Sequence, residues 1–411
     1  MRVLYVLNSF PKLSETFILN EIIELKNRNI DVEILALKNP QESVINKDIL
    51  DHGLLEKTRY FLEPSRTAVI YHSCLSLAFY RILFNTYKEY GSSLDIKHIV
   101  RLAYHSTRYE GIDLIHAHFA YNAAVTGMQI SRILKKPFTF TAHAYEIFNK
   151  SLHSRDRLKT LSETADRIFT PSAFNKKYIV GETGVPEEKI GVIRATIAYD
   201  KFNETERSNL SLDRIKIISI GRLVEKKGFQ YLIKSLKIVK KKHSSIELVL
   251  IGEGPLKDEL VSLSENLGLD NNIKFLGARS NEECIREISE SDIAVLPCVV
   301  ASNGDMDALP LALQEAMATG IPAISSRIGG MADIIEDGKE GILVPERDER
   351  ALADAILQLI ENPAMRNEMG RNGRVKIARE FNQIVQANKL IGHWREILDR
   401  RPQINDRSED K

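Results

Sequence analysis

The chain has 411 residues, 43% of them hydrophobic and 27% charged, with a formal net charge of +1. At roughly 150 residues per domain this suits two or three domains with sizeable cores, and the near-balanced charge excludes a charge-driven nucleic-acid binder. Three scattered cysteines, Cys74, Cys284 and Cys298, have neither zinc spacing nor a disulfide framework and fit a reducing cytoplasm. The balance is uneven along the chain. Residues 1–200 carry 26 Lys+Arg against 22 Asp+Glu, the remainder 31 against 34, and eight of the ten histidines fall in the first half. The two halves therefore face different partners.

The chain opens directly on an apolar run, residues 2–7, read as a strand with no leader before it. Further strands are predicted over 31–37, 112–117, 137–141, 166–170 and 190–194. A second series covers 214–220, 246–251, 273–276, 292–296, 321–325 and 341–344. Helix-length segments between these runs predict parallel sheets covered on both faces. The fold class is thus α/β, with two Rossmann-like arrays facing across a cleft. The polar stretch from Asp200 to Asn209 reads as the linker. A helical pattern over 381–400, containing Trp394, follows the second array, and the polar tail from Pro402 reads as frayed. Residues 67–87 are apolar but interrupted by His72 and Arg81. They read first as a core-packed amphipathic helix. The sharper reading is a membrane-interface helix flanked by Arg59, Arg66, Arg81 and Lys88.

Several stretches carry chemistry. After the first strand, Ser14 can cap the helix that follows, with Glu15 and Thr16 beside it. His116 and His118 share one face of a strand and could ligate a metal, but no third ligand stands at convincing spacing. An acceptor-pocket or structural role is preferred for them. His143 lies just beyond the strand predicted over 137–141, at the edge of the cleft. In the second half, Gly221 to Gly228 joins a strand to a helix and carries Arg222 and Lys227, a fork and a point charge suited to a diphosphate. Gly252 and Gly254 allow close backbone approach, although no third glycine completes a dinucleotide fingerprint. Arg279 follows the strand near 273–276. Finally, Asp307 precedes a helix that opens near Pro310, holds Glu315 in its second turn and stops at Gly320. Free N–H groups and the positive end of the helix dipole lie between the two carboxylates, a setting for an anionic leaving group beside a polyol.

The run Asp307 to Glu315 resembles the acidic-x7-acidic signature of retaining glycosyltransferases of family 4, which share the two-domain GT-B fold. The family usually has Glu-Gly where this chain has Asp307-Ala308. The resemblance implies that Glu315 binds the ribose hydroxyls and that Asp307 lies by the donor sugar. Ala308, Leu309 and Pro310 would line the donor. Arg222 and Lys227 match the family's diphosphate-binding pair, Gly252-Glu253-Gly254-Pro255 its turn near the donor, and the loop of Arg279 its base site. His143 matches the histidine that contacts donor sugar or acceptor. The wording Pro-Lys-Leu-Ser-Glu-Thr-Phe at 11–17 is similar to the exopolysaccharide, colanic-acid branch of the family. Two stretches depart from the pattern: no Gly-Gly pair stands in that first loop, and Arg194-Ala195-Thr196 stands where relatives carry Asn-Gly.

The resemblance implies three regions: an acceptor-side domain over 1–200, a donor-binding domain over 201–380, and a closing stretch over 381–411 that crosses back to the first. It implies a retaining hexosyltransferase, using a UDP-sugar or GDP-sugar without cofactor or metal. Its acceptor would be a lipid-linked oligosaccharide or other glycan of exopolysaccharide or lipopolysaccharide synthesis. The protein is then expected in the cytoplasm, with peripheral association at the inner membrane. The alternatives are a GT-B synthase acting on a small soluble acceptor and a non-catalytic nucleotide-sugar-binding component of a polysaccharide complex.

Overall fold

The computed structural model describes residues 1–12, 15–42, 45–64, 77–91, 93–203 and 214–400. Ser14, the tail from residue 401, residues 204–213 of the linker region and the first part of the 67–87 segment lie outside them. The described strands form two sheets. The first comprises β1 (Arg2–Ser9), β2 (Asp31–Lys38), β3 (Thr58–Tyr60), β4 (Leu114–His118), β5 (Phe138–Thr141), β6 (Arg167–Thr170) and β7 (Ile190–Val192), in the order β3-β2-β1-β4-β5-β6-β7. The second comprises β8 (Ile215–Ile220), β9 (Ile246–Ile251), β10 (Ile273–Gly277), β11 (Ile293–Leu296), β12 (Ala323–Ser326) and β13 (Gly341–Val344), in the order β10-β9-β8-β11-β12-β13. Their pairings are parallel, with Tyr5 opposite His116 in the first sheet and Ile217 opposite Ile293 in the second.

Helices cover both faces, so inner strands such as β4, β5 and β9 are buried along their whole length. This is the two-Rossmann, GT-B arrangement. Strand order reverses between β1 and β4 and again between β8 and β11, and the crevice beyond the carboxyl ends at such a point is where open α/β sheets bind ligands. Two local differences from the sequence reading have plain causes. Pro310 is the residue before the helix Leu311–Ala318, with ψ 123°, rather than its first turn. The strand expected from residue 321 begins at Ala323, since Pro322 accepts from Ala294 through its carbonyl but has no N–H to donate. The short edge strand β3 was not foreseen.

The described part of the 67–87 segment is the helix Leu77–Tyr90. Phe79, Ile82, Thr86 and Tyr90 face the core, while Tyr80, Phe84 and Tyr87 are exposed. No helix among the described residues is long and apolar enough to cross a membrane.

The final helix, Gln383–Arg400, leaves the second half and packs on the first. Leu390, Ile391, Trp394 and Ile397 join a core with Val3, Tyr5, Leu7 and Ile22, and Trp394 Nε1 donates to Thr139 Oγ1 at 3.3 Å. The chain thus passes between the halves twice. The two passages touch: Ile197 and Asn382 form an isolated parallel bridge, and Gln386 accepts the Arg194 N–H at 3.0 Å.

Candidate active site

The crevice of the second half is built from three interlaced loops. The loop after β8 hydrogen-bonds to that after β9 through Leu223 N–H to Glu253 O (3.0 Å) and Leu256 N–H to Leu223 O (3.1 Å). The β9 loop joins the β10 loop through Gly252 N–H to Gly277 O (2.9 Å). Such close lacing needs glycine. At Gly252 φ is +144°, and a Cβ there would stand 2.0 Å from the Gly221 carbonyl oxygen. Gly228, with φ +68°, lies equally tight against the Pro297 carbonyl and turns the β8 loop toward the exit of β11.

That turn delivers its lysines to the carboxylates ahead of the helix Leu311–Ala318. Lys227 Nζ is 2.5 Å from Asp307 Oδ2, while Lys226 Nζ lies 3.2 Å from Asp307 Oδ1 and 3.1 Å from Asp305 Oδ2. Burial pushes the Asp307 carboxyl up, but Lys227 and Lys226 outweigh it and hold the group well below the usual carboxylate range. Burial likewise opposes the charge on Lys226, and the two aspartates restore it. The buried Cys298 thiol donates weakly to Asp307 at 3.7 Å. Lys227 and Asp307, both named from the sequence, are therefore direct partners. Lys226 and Asp305 were missed, since nothing in a Lys-Lys pair says which ammonium turns inward.

Arg222 stands exposed in the same loop, with no side-chain partner among the described residues. Arg279 is also exposed and leans on its own helix start, 3.7 Å from Glu283. Ala308, Leu309 and Pro310 are buried, with the Asp307 and Ala308 carbonyls packed against Gly329 and Gly330. Glu315 is partly buried, and desolvation pushes its carboxyl up to about 7.

Across the cleft, His143 precedes the helix Ala144–Phe148 and shares a reciprocal cap with Glu146, whose carboxylate accepts the His143 N–H at 2.6 Å and the Ala120 N–H at 2.9 Å. Burial pushes the Glu146 carboxyl up to about 7 even against those bonds. His118 Nδ1 lies 3.1 Å from His143 Nε2, and His118 Nε2 lies 3.0 Å from Glu21 Oε1, which also accepts the Tyr5 hydroxyl at 2.7 Å. His116 sits inside the sheet, its nitrogens 2.9 and 3.2 Å from the Thr139 and Thr141 hydroxyls. Donor atoms of Glu21, His116 and His118 all fall within 4.8 Å of one another. Glu21 is thus the third group that strand spacing could not reveal, 97 residues from His118. Both nitrogens of each histidine already have partners, so a metal would displace hydrogen bonds here. Glu15 pairs with Lys12 at 2.6 Å, and Thr16 opens the helix Thr16–Asn27. His118, His143, Glu21 and Arg194 line one cavity with Thr196 and Gln386.

The halves meet at several points. Lys150 N–H donates to Asn303 O (2.9 Å), Ala173 N–H to Asp333 Oδ2 (2.8 Å) and the Arg194 guanidinium to Asp333 O (3.4 Å). Lys226 Nζ also stands 5.9 Å from the centre of the Tyr145 ring.

Comparison with known proteins gives the family and the fold. Residues 14–198 match the family model "Glycosyltransferase Family 4", and residues 200–376 match "Glycosyl transferases group 1". The amylovoran biosynthesis glycosyltransferase AmsK of Erwinia amylovora is 30% identical over 97% of this chain and 100% of its own. Among solved structures, Anabaena HepE in complex with UDP superposes with a TM-score of 0.75 at 18% identity, covering 96% of this chain and 100% of that one. Sucrose-phosphate synthase of Thermosynechococcus elongatus gives 0.70 at 17%, covering 97% and 99%. These two likenesses establish the fold.

Proposed function

The chain belongs to the glycosyltransferases of family 4 and group 1, and from that premise we propose that it is a retaining hexosyltransferase of exopolysaccharide or lipopolysaccharide synthesis. Its donor is a UDP-sugar or GDP-sugar. Its acceptor is a hydroxyl of a glycan, carried on a lipid at the cytoplasmic face of the inner membrane, where the protein associates peripherally. Residues 1–200 form the acceptor side, 201–380 the donor side, and 381–411 return to the first. The relative AmsK, named for amylovoran biosynthesis, supports the polysaccharide setting.

One observation carries the reading: Lys226 and Lys227 converge at the strand-order reversal of the second sheet, beside a helix N-terminus and paired with Asp305 and Asp307. An arriving diphosphate offers the ammonium groups a denser anion than those two carboxylates. Arg222, exposed in the same loop, adds a fork. Charge grows on the diphosphate as the C1–O bond breaks, so preorganised cations and helix N–H groups favour the transition state over the ground state. With the cations drawn to phosphate, Asp307 is released to hydrogen-bond the sugar hydroxyls. Glu315 holds the ribose, while Gly252, Gly254, Arg279, Ala308, Leu309 and Pro310 shape the rest of the donor site. His143 orients the sugar once its ring exchanges a protein partner for a hydroxyl. Glu15, Thr16, His118 and, at second remove, His116 support the acceptor side, together with Ser14 from outside the described residues. The acceptor oxygen attacks C1 from the leaving-group face and passes its proton to the departing phosphate. Since side-chain cations neutralise the diphosphate, the reaction needs no metal or other cofactor.

Incubation with UDP-, GDP- and ADP-sugars, scoring nucleoside diphosphate release with and without membrane extract, tests this. Release stimulated by extract is expected. Release onto free small sugars would favour a soluble-acceptor synthase, and binding with no release a non-catalytic component.

A further inference from the structure

Outside the donor crevice, a line of polar side chains runs from Tyr5 through Glu21 and His118 to His143. All four side chains meet end to end at 2.7, 3.0 and 3.1 Å, although they come from β1, the helix Thr16–Asn27, the end of β4 and the loop after β5. His118 and His143 are 1% and 9% exposed. Their ring centres are 5.4 Å apart, with planes 20° from parallel, a separation that suits an N–H···N bond between the two rings. Phe17 and Phe119 close over His143 at 4.9 and 4.7 Å.

With one ring proton on each histidine, the hydrogens in this line have one consistent assignment. The Tyr5 hydroxyl is buried and donates to Glu21 Oε1, so that oxygen is an acceptor. His118 Nε2 must then carry the proton it offers to the same oxygen. His118 Nδ1 is left as a lone pair, and His143 Nε2 must donate to it. That leaves His143 Nδ1 as a lone pair too, facing the N–H groups at the start of the helix Ala144–Phe148. Burial disfavours the charged form of His143.

We propose that Glu21 and His118 are positioning residues that fix His143 as its Nε2–H tautomer and fix its ring plane at the edge of the cleft. The proposal rests on the reading that His143 serves the transfer site. In that reading a tautomer set from behind decides what His143 can present to a sugar: released from His118, its Nε2–H is a donor to a hydroxyl or ring oxygen and not an acceptor. Glu21 is the root of the line, since it alone cannot reverse its bond to His118.

The direct test is the imidazole nitrogen spectrum of the protein, by long-range ¹H–¹⁵N correlation, with signals assigned by His143→Gln and His118→Gln. In wild type both rings should show a single Nε2–H tautomer. Glu21→Leu should turn the His143 signal into a tautomer mixture while circular dichroism is retained. Glu21→Gln keeps an acceptor oxygen and should restore most of the wild-type pattern; if Glu21→Leu fails to fold, Tyr5→Phe, which removes one donor to the same oxygen, should shift the His118 and His143 nitrogens measurably. Diphosphate release from UDP-glucose or GDP-mannose should fall about tenfold in Glu21→Leu through kcat, with donor KM little changed, the scale seen when an orienting partner of a histidine is lost. Unchanged His143 nitrogen shifts in Glu21→Leu would overturn the proposal. So would loss of both Nε2–H signals of the wild type on adding Zn²⁺, which would make the group a metal site. If His143→Gln itself leaves release intact, the role of His143 in transfer fails, while the nitrogen spectrum still judges the line that holds it.

Discussion

Arg222 and Glu315 separate the two tasks of the donor crevice. Arg222 has no side-chain partner among the described residues, so Arg222→Ala removes stabilisation of the leaving group and little else. It should cut turnover on the order of hundredfold with an unchanged melting temperature. Glu315→Ala should chiefly raise the nucleoside diphosphate Kd, read by calorimetry. Wild-type behaviour in both variants would refute the assignment. Glu315 also predicts a pH effect on stability. Its folded pKa is raised to about 7, from about 4.3 in an unfolded chain, so ionisation works against folding. The penalty is absent below the unfolded value, grows through that window, and is complete above about 7. Glu315→Gln should therefore gain about 1 kcal/mol over wild type at pH 8, discounted for partial exposure, and nothing at pH 4. An equal gain at both pH values would contradict this cause.

Among the elements, strands were the most legible, because buried parallel strands read as uninterrupted β-branched runs and their turns carry glycine where φ is positive. The crevice loops were legible for the same local reason: Gly228 and Gly252 mark close backbone approach, and Arg222, Lys227 and Asp307 sit within a few residues of such turns. Contacts between distant elements were not legible. Nothing in the spacing of His116 and His118 pointed to Glu21, which reaches them only because β1 and β4 are neighbours in the sheet. The edge strand β3 was hidden by its three-residue length. The final helix gives the sharpest test at this scale. Trp394 is fully buried against the first sheet, so Trp394→Ala should cost about 3–5 kcal/mol in urea unfolding. A loss below about 1 kcal/mol would show that this helix does not hold the first half together.

For the whole molecule, the contacts across the cleft describe a closed arrangement, and Asp333 is its most specific one. Its carboxylate caps the N-terminus of the helix Ala173–Thr183 from the opposite half, and its carbonyl accepts Arg194. Arg194 and Asp333 thus form an inter-half clasp. Losing a cap costs about 1 kcal/mol, so Asp333→Ala should shift the closed-to-open ratio roughly fivefold toward open. Small-angle scattering of the unliganded protein should then show a larger radius of gyration; an unchanged curve would assign closure to other contacts.

The Ile197–Asn382 bridge sets the two chain passages shoulder to shoulder. Two tethers so placed behave as adjacent knuckles on one pin. Rotation about their common line stays soft, whereas sliding or twisting would stretch one of them. A book-like parting about that line would keep Lys226 in register with the Tyr145 ring it faces at 5.9 Å.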